Sequence, residues 1–337
     1  MLALDIGGAH LKGYHRDGRT LHERFEVWRR PHELADALQH CFTKLSPFER
    51  VAVTTTAELC DCFETRRDGV LAILDAAERA LEAVQPEAQL LVWTLEGQLV
   101  PPDVARRTPE LVAAANWYAL ACNTARRFAD GLAVLIDMGS TTVDLIPLRD
   151  GSPCPRERTD SGRLVSGELV YTGFRRTPTF AVRSTVTYRD HSCPVVPELF
   201  ATMEDAYVVL GQLAEDPEDR NTADGRERTC RRAIERLART VGADRESFDS
   251  QDATLMAREL TAAQVELIVS GLRKIDSNLG EAPHTAIVCG EGEGIVREAV
   301  DQVWPGIETA SLSAEIGAQA SSAACAYSLV ELMALEL

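Results

Sequence analysis

The sequence has few of the features that mark membrane, secreted or zinc-dependent proteins. No apolar run approaches the roughly 20 residues that a membrane-spanning helix needs, and no basic segment followed by an apolar run stands at the N-terminus. Of the nine cysteines only Cys60 and Cys62 stand close together, and the seven histidines show no HxH or HExxH spacing. We therefore expect a cytoplasmic protein with reduced thiols, without a disulfide framework or a zinc hydrolase site.

Basic residues are also scarce relative to acidic ones. The chain has 35 Lys and Arg against 52 Asp and Glu, a formal net charge of -17. Such a surface repels nucleic-acid phosphates and anionic lipids, so we expect neither partner. Most of these carboxylates are interpreted as solvated surface. An anionic small-molecule substrate would need local backbone dipoles, a metal ion or a few placed basic residues, and a homo-oligomer stays open.

The length and apolar content predict two domains with sizeable cores. The chain has 337 residues, 45% of them hydrophobic, and chains of this size usually divide. An apolar strand, an aspartate and a Gly/Ser/Thr turn occur at residues 2–10 and again at 131–142, which indicates two related α/β halves. We predict one domain over 1–128, completed by a C-terminal helix at 313–337, and a second over 129–312. A cleft between them is the expected ligand site.

Hydrophobic periodicity places the main elements along the chain. Strands are predicted at 2–6, 10–15, 20–27 and 50–59, with two more within each of 88–100 and 131–151. Helices are predicted at 31–44, 68–84, 109–128, 203–215, 228–241, 254–275 and 313–337. Residues 155–200 are expected to form strands and loops, and 285–300 a strand, a glycine-rich loop and a helix.

The first loop, LDIGGAHLKG, has a composition suited to an anion. Asp5 ends a strand, and Gly7 and Gly8 permit close approach of backbone N–H groups to a ligand. Lys12 could add a positive charge or face solvent, and His10 could contact phosphate or cap the turn. A plain β-hairpin accounts for the loop equally well when it is considered alone.

The second loop, IDMGSTTVDL, repeats the design and adds hydroxyl donors. A carboxylate at Asp137 could hold Mg²⁺ directly or through water. Asp144 lies in the next apolar strand, where a charge is costly unless it is paired or functional. Two such loops in one chain favour function over a coincidence of hairpin turns. The proposed donors of this loop are Gly139, Ser140, Thr141 and Thr142.

A third glycine-rich loop, VCGEGEGIV, lies between a strand and a helix. It contains Gly290, Gly292 and Gly294, a spacing that also occurs in dinucleotide-binding loops, although those normally open a domain. Glu291 and Glu293 place negative charge beside a supposed phosphate site, which is unfavourable without a metal.

The three loops in this order resemble the actin-like ATPase and sugar-kinase superfamily. The resemblance covers nearly the whole chain and implies a duplicated, ribonuclease-H-like α/β fold with two domains around a central cleft. The string DMGSTTVD resembles the second phosphate loop of hydantoinase/oxoprolinase-type members and of heat-shock chaperone ATPases.

Longer strings are similar to a narrower group, the hydantoinase-related family of tetrahydromethanopterin-linked one-carbon metabolism. They are TAELCDCFETRRDGV, VAAANWYA, SGELVYTGFRRTP and TADGRERT. The resemblance implies a transferase of methanofuran biosynthesis that joins a furan-methyl diphosphate to the phenol of tyramine or γ-glutamyltyramine and releases pyrophosphate. The alternatives are an ATP-dependent kinase or amidohydrolase of the same fold and a non-enzymatic nucleotide sensor.

Roles for individual residues follow from this resemblance and the loop chemistry. Asp5 and Asp137 are predicted to hold Mg²⁺, and ATP is disfavoured by the acidic third loop. Glu58 and Asp61 are candidates for a base or for amine recognition, although surface or helix-capping carboxylates fit equally well. Arg175 and Arg176 could bind diphosphate or a substrate carboxylate, or be ordinary surface arginines. The predicted catalytic residues are Asp137, Asp5, Glu58 and Asp144; the predicted phosphate-binding residues are Gly7, Gly8, His10, Lys12, Gly139, Ser140, Thr141, Thr142, Gly290 and Gly292.

Overall fold

A computed structural model of the protein describes residues 1–335. The chain divides into two compact units. Unit 1 contains Met1–Leu135, Ile146–Asp160 and the residues from Ser311 onward, and unit 2 contains Ile136–Leu145 and Ser161–Ala310.

Unit 1 is built on a mixed six-stranded sheet. The strand order is β3-β2-β1-β4-β5-β6. Strand β1 is antiparallel to β2 and parallel to β4, which is parallel to β5. In this register Asp5 lies between Lys12 and Thr54 on the neighbouring strands. The strands are β1 (Leu2–Ile6), β2 (His10–His15), β3 (Thr20–Arg24), β4 (Arg50–Thr55), β5 (Gln89–Trp93) and β6 (Leu99–Val100).

Helices of unit 1 cover the apolar strands with one face. Helix α1, which a 3-10 turn at Pro31–Glu33 precedes, buries Leu38 and Phe42. The side chain of Thr65 caps α2 by accepting the N–H of Asp68 at 3.1 Å. The helices here are α1 (Leu34–Leu45), α2 (Arg66–Val84), α3 (Pro102–Ala105), α4 (Pro109–Val112) and α5 (Asn116–Arg127).

The single helix predicted over 109–128 is wrong in one respect. Residues 113–115 interrupt it, and Ala114 has a left-handed backbone with φ of 49°. Ala113 leaves the helix to pair with Thr55 as an isolated parallel bridge. The break therefore carries the backbone of 113–116 alongside the end of β4.

The second sheet repeats the strand order of the first. Its neighbouring strands run β10-β8-β7-β13-β14, with β9 paired to β8. Counted along the chain with β9 set aside, the second sheet has the order third, second, first, fourth, fifth. The first five strands of the first sheet have the same order, which confirms the predicted duplicated α/β architecture. A separate hairpin joins β11 and β12. The strands are β7 (Leu132–Met138), β8 (Val143–Arg149), β9 (Ser152–Pro153), β10 (Leu169–Val170), β11 (Thr185–Tyr188), β12 (His191–Pro194), β13 (Thr285–Gly290) and β14 (Glu308–Ser311).

Six further helices lie between β9 and β14. Two of them fall within the 155–200 region for which only strands and loops were predicted. The helix predicted at 203–215 ends at Val209, whereas the one predicted at 254–275 is longer, because an Asp249 capping box starts it earlier and Gly280 ends it. The helices are α6 (Asp160–Ser166), α7 (Thr179–Val182), α8 (Met203–Val209), α9 (Cys230–Arg239), α10 (Ser250–Leu279) and α11 (Glu293–Val303).

The C-terminal segment is three helices rather than the one predicted over 313–337. They are α12 (Leu312–Ile316), α13 (Ala318–Ser321) and α14 (Ala324–Ala334). The backbone at Gly317 has φ of 85° and ψ of 150°, which ends α12. Residues 336–337 of the predicted helix lie outside the described residues. Helix α14 packs against α5 and against β1, β2 and β4, so it belongs to unit 1.

Two properties of side chains and helices bear on the sequence expectations. All nine cysteines are free thiols. Within residues 1–335, none of the helices combines the length and the apolar character that crossing a bilayer requires.

Candidate active site

The two Asp/Gly loops have the same backbone geometry. The first connects β1 to β2, and its Gly7 N–H donates to the His10 carbonyl at 3.0 Å. The second connects β7 to β8, and its Gly139 N–H donates to the Thr142 carbonyl, also at 3.0 Å. Both loops are therefore tight hairpins, as the β-hairpin interpretation predicted. They also share the same closing hydrogen bond, which two unrelated turns would not need to have.

Neighbouring backbone occupies the carbonyl groups of the second loop. The Phe174 N–H donates to the Gly139 carbonyl at 2.9 Å. The N–H groups of Arg175 and Arg176 both donate to the Ser140 carbonyl, at 3.1 and 2.9 Å. Two carbonyl groups that would repel an anion are therefore already bonded to protein.

The amide groups at the tip of the second loop have a different environment. Within residues 1–335, the N–H groups of Ser140, Thr141 and Thr142 have no backbone acceptor. All three residues are half-buried. Successive amides with free donor capacity in a tight turn form a concavity suited to an anion.

Gly173 makes this arrangement possible. A Cβ atom at this position would lie 2.4 Å from the Thr141 nitrogen and 2.5 Å from the Ser140 carbonyl oxygen. Any side chain would push segment 173–176 away from the loop. The loop therefore depends on a glycine outside its own sequence.

The third glycine loop packs directly on the strand that carries Asp137. Gly290 has φ of 88°, and a Cβ there would lie 2.3 Å from the Met138 carbonyl oxygen and 2.6 Å from Asp137 Oδ1. A Cβ at Gly292 would meet the Met138 side chain at 2.2 Å. The structure thus brings the second and third loops together, and close packing explains both glycines. Their phosphate-binding role stays a prediction.

Arg175 links the same region to two carboxylates. Its guanidinium donates to the buried Glu204 at 2.8 Å and to Glu291 of the third loop. Burial raises the pKa of Glu204, and the hydrogen bond and charge of Arg175 act against that shift. Glu291 is therefore neutralised by an arginine, which removes part of the objection to acid in this loop. Arg176 is exposed.

Asp137 and Asp144 lie in unlike surroundings. Cys289 is buried beside Asp137, and burial first, then the charges of Asp137 and Glu293, raise the pKa of its thiol well above the ordinary value. Asp144 accepts a 2.8 Å bond from the buried guanidinium of Arg163. This ion pair explains how a carboxylate is tolerated in β8, whereas its catalytic role stays a prediction.

In unit 1, Asp5 is a buried carboxylate with one oxygen unsatisfied. Its Oδ2 accepts from Asn116 Nδ2 at 3.4 Å, whereas its Oδ1 has no hydrogen-bond partner among the described residues. Burial raises the pKa of Asp5, and the charge of Lys12 and the bonds from Asn116 and Cys325 oppose that shift. Lys12 is half-buried and is the register partner of Asp5 on β2, so its positive charge lowers the pKa of Asp5.

Glu58 is the second buried carboxylate of unit 1. It is 1% exposed, and within the part of the chain that the structure describes its Oε2 has no hydrogen-bond partner. Burial raises its pKa to about 7, the nearby Asp160 adds to the shift, and hydrogen bonds from its own N–H and that of Ala114 oppose it. Asp61, its predicted companion, is exposed.

His10, a candidate of the first loop, is half-buried and packs edge-on against His22 with ring centroids 4.9 Å apart.

Sequence reasoning missed three residues of these surroundings. Asn116 contacts Asp5, Glu204 holds Arg175, and Gly173 supports the second loop. Asn116 and Gly173 both lie within the longer strings that carried the family resemblance, which was the available signal. Glu204 lies in a helix that is buried at six consecutive residues, and no pattern in the sequence singled it out.

A divalent cation was predicted at Asp5 and Asp137. Among residues 1–335, no group of three or more His, Cys, Asp or Glu side chains could hold a metal ion. Mg²⁺ often keeps several waters and needs only one or two protein carboxylates. The unsatisfied Oδ1 of Asp5 fits a cation, so the residues present are compatible with the prediction.

The duplicated strand order and paired hairpins define an α/β protein of the actin-like fold, as predicted. The chain belongs to the hydantoinase/oxoprolinase family, whose family model matches residues 49–329.

Two relatives carry the same name. A protein of Methanocaldococcus jannaschii, 31% identical over 90% of this chain and 89% of its own, is named "(4-{4-[2-(gamma-L-glutamylamino)ethyl]phenoxymethyl}furan-2-yl)methanamine synthase". A protein of Methanococcus vannielii with that name is 28% identical over 62% of this chain and 93% of its own.

Solved structures are similar at lower identity. The PilM–PilN type IV pilus biogenesis complex aligns with 99% of this chain and 97% of its own at 13% identity and a TM-score of 0.48. An archaeal actin homolog aligns with 98% of each chain at 12% identity and a TM-score of 0.42.

Proposed function

We propose that this chain is an enzyme of methanofuran-type cofactor biosynthesis. It condenses a furan-methyl diphosphate with the phenol of γ-glutamyltyramine and releases pyrophosphate. The observation that carries the proposal is the relative that is 31% identical over 90% of the chain and is named for the ether product. The printed name contains the glutamyl group, which favours γ-glutamyltyramine over tyramine as acceptor.

The reaction is a substitution at the methylene carbon next to the furan ring. The bond from this carbon to the diphosphate oxygen breaks, and its electron pair leaves with pyrophosphate. The phenol oxygen forms the new bond to carbon and loses its proton. Because the electron-rich ring stabilises positive charge at the methylene carbon, the main demand on the protein is to stabilise the leaving diphosphate.

The second loop is suited to that demand. The carbonyls of Gly139 and Ser140 are bonded to segment 174–176, and the amides of residues 140–142 have no backbone acceptor among the described residues. The hydroxyls of Ser140, Thr141 and Thr142 add donors. Arg175 and Arg176 lie directly beside the loop through their own backbone bonds to it. We assign diphosphate recognition in unit 2 to these groups.

The first loop repeats this arrangement within unit 1. There Gly7, Gly8, His10 and Lys12 stay candidates for a phosphate oxygen. Magnesium, which Asp137 is predicted to hold, would supply positive charge to a diphosphate bound at the second loop. The contribution of the chain itself is the fixed set of amides and hydroxyls, which need no rearrangement when charge develops.

Substitution of Asp137 tests the proposal. We expect Asp137→Asn to slow pyrophosphate release from the furan-methyl diphosphate, γ-glutamyltyramine and Mg²⁺ by about a hundredfold, as is typical when transition-state electrostatics are lost. Pyrophosphate is measured by a coupled assay and the ether by mass spectrometry. Asp301→Asn is the matched control, since Asp301 lies exposed on α11.

Three outcomes of this assay decide between interpretations. Wild-type rates in Asp137→Asn would remove Asp137 from its assigned role. A wild-type enzyme that forms neither pyrophosphate nor ether would contradict the proposed function. Formation of ADP from ATP instead would identify a kinase.

A further inference from the structure

A cavity of about 310 Å³ lies beside helix α9 in unit 2. Small-molecule sites usually have volumes of roughly 300–1,000 Å³, so this one is large enough for a small ligand. Such sites are mostly apolar, whereas every residue that lines this cavity has a charged side chain. The composition therefore indicates a charged ligand. The arginines of the lining are Arg226, Arg231, Arg232, Arg239 and Arg245.

The cavity has an excess of positive charge in a chain that is acidic as a whole. Its five arginines are accompanied by only three carboxylates, which belong to Glu235, Asp244 and Glu246. The whole chain has a formal net charge of -17. A small anion that most of the surface repels is therefore attracted to this place.

Glu235 is a carboxylate that several of these arginines share. It accepts from Arg232 at 2.7 Å and from Arg231 at 3.4 Å, and Arg226 lies 3.8 Å away. The hydrogen bond from Arg232 is the largest cause of the lowered pKa of Glu235. Arg232 has a second partner in Glu227 at 3.2 Å. The carboxylate of Glu235 is therefore divided among guanidinium groups that it cannot neutralise completely.

Two further arginines of the cavity have no ion-pair partner. Among residues 1–335, neither Arg239 nor Arg245 has a carboxylate oxygen within 4.0 Å. Arg239 donates to the backbone carbonyl of Glu235 at 3.2 Å, and Arg245 is exposed. A guanidinium group presents a planar set of N–H donors that matches two oxygens of a phosphate. These two side chains thus have charge and donors available for an anion.

The wall of the cavity is held in place by the protein itself. On the buried side of α9, the guanidinium of Arg236 is fully buried and donates to Asp205 at 2.7 Å and to Asp224 at 3.0 Å. Asp224 also accepts the N–H of Arg226 at 3.2 Å and lies 4.0 Å from the guanidinium of that residue. Helix α9 and the turn before it are therefore tied together, which lowers the entropy lost when a ligand binds.

We propose that this cavity is a binding site for a small anion that carries two or more phosphate groups. A single phosphate engages one or two guanidinium groups, whereas linked phosphates engage several at once. Nucleic acids also carry linked phosphates, but the acidic remainder of the surface repels a long polyanion. The inference is independent of the proposed reaction, because none of the lining residues belongs to the second loop or to segment 173–176.

Calorimetric titration with tripolyphosphate tests the site in buffer freed of divalent cations. We expect tripolyphosphate to bind at least about tenfold more tightly than inorganic phosphate, because it engages more guanidinium groups. Citrate, which carries carboxylates in place of phosphates, should also bind more weakly than tripolyphosphate. Added salt should weaken the binding of tripolyphosphate, since the arginines are largely exposed to solvent.

A double variant, Arg239→Gln with Arg245→Gln, tests where the anion binds. Loss of two guanidinium groups should weaken the binding of tripolyphosphate at least about tenfold. The matched control is Arg258→Gln with Arg273→Gln, which removes the same charge from exposed positions of α10 outside the cavity. This control should bind tripolyphosphate like the wild type.

Glu235→Gln separates loss of the site from misfolding, because its effect should have the opposite sign. Removal of the carboxylate releases Arg231 and Arg232 from a shared partner and makes the cavity more positive. Tripolyphosphate should therefore bind at least about threefold more tightly than to the wild type. A misfolded variant would not bind the anion more tightly.

The inference is overturned if tripolyphosphate does not bind, or binds no more tightly than inorganic phosphate or citrate. It is equally overturned if the double variant of Arg239 and Arg245 binds like the wild type, or if Glu235→Gln does not strengthen binding. Single-stranded DNA that binds as tightly as tripolyphosphate would identify a nucleic-acid surface instead.

Discussion

Glu58 and Asp144 show, at the scale of single residues, two ways in which this chain keeps a carboxylate out of water. Asp144 is compensated by the guanidinium of Arg163 at 2.8 Å. Burial raises the pKa of Glu58 to about 7, and backbone hydrogen bonds and the charge of Arg66 oppose the shift. The carboxylate of Asp144 is therefore compensated by a bonded guanidinium, whereas Glu58 Oε2 has no hydrogen-bond partner among residues 1–335.

This difference predicts how stability changes with pH. The pKa of Glu58 is raised from 4.5 to about 7 on folding, so between these values the folded state binds more protons than the unfolded state. The contribution of Glu58 is fully present below about pH 4.5 and is lost as pH rises through 7. Relative to Glu58→Gln, the wild type should lose up to about 3 kcal/mol of unfolding free energy between pH 4.5 and 8.

Urea unfolding at several pH values measures this change. The difference between wild type and Glu58→Gln isolates Glu58 from every other titrating group. Glu64→Gln, at an exposed site, should follow the wild-type curve. If the unfolding free energies of wild type and Glu58→Gln change with pH in parallel, ionisation of Glu58 does not destabilise the folded protein.

Residue-scale prediction from sequence succeeded where the chemistry is local. Glycines and hydroxyls in a tight turn identified both hairpins, because the turn is encoded by neighbouring residues. Asn116 was missed because its partner Asp5 is 111 positions away. Gly173 was not singled out, because its close approach to Ser140 depends on tertiary packing.

At the scale of elements, the third loop and β7 form one packed assembly within unit 2. Gly290→Ala should displace the Met138 carbonyl and the Asp137 carboxylate, since the new Cβ would lie 2.3 and 2.6 Å from them at a φ of 88°. We expect a loss of about 2 kcal/mol or more in stability. Pyrophosphate release should fall as well if Asp137 has its assigned role.

Gly294→Ala is the matched control for this change. Nothing lies within 4 Å of a Cβ at Gly294, which is exposed within α11, so alanine should be neutral or stabilising. Thermal unfolding of both variants measures the difference. Equal melting temperatures would contradict the close packing of the third loop on β7.

Elements with a clear period were predicted, and the interruptions within them were not. Residues 109–128 keep an apolar helical pattern through Ala113–Ala115, yet the chain leaves the helix there because Ala113 pairs with Thr55. This partner is distant in the sequence, so no local pattern predicts the break. Gly317 was a local signal for the later break, but the small residues around it continued the helical pattern.

At the scale of the whole molecule, the chain returns to unit 1 after building unit 2. Helix α14 packs on α5 and on β1, β2 and β4, although more than 170 residues separate it from them. Leu329 is fully buried in this helix. The repeated pattern suggested such a completion, because each strand set needs a covering layer on its apolar face.

Leu329→Ala therefore tests whether α14 is an integral part of unit 1. Removing a fully buried leucine side chain should cost about 2–5 kcal/mol. Leu335→Ala is the control, since Leu335 is 57% exposed and should change stability by less than about 0.5 kcal/mol. Chemical unfolding followed by the fluorescence of Trp93 and Trp117, both in unit 1, measures the effect. Equal midpoints for the two variants would contradict the packing.

The matched hairpins also restrict how the halves can be recombined. Counted from Gly7 and Gly139, Lys12 and Asp144 occupy the same position in the two copies, with opposite charge. Lys12 acts on Asp5, and Asp144 is held by Arg163, a residue with no counterpart in the first hairpin. In a chimera with the two hairpins exchanged, the backbone of each hairpin would match its new position, but Lys12 and Asp144 would each meet surroundings suited to the opposite charge. The two hairpins are therefore specialised and cannot replace each other.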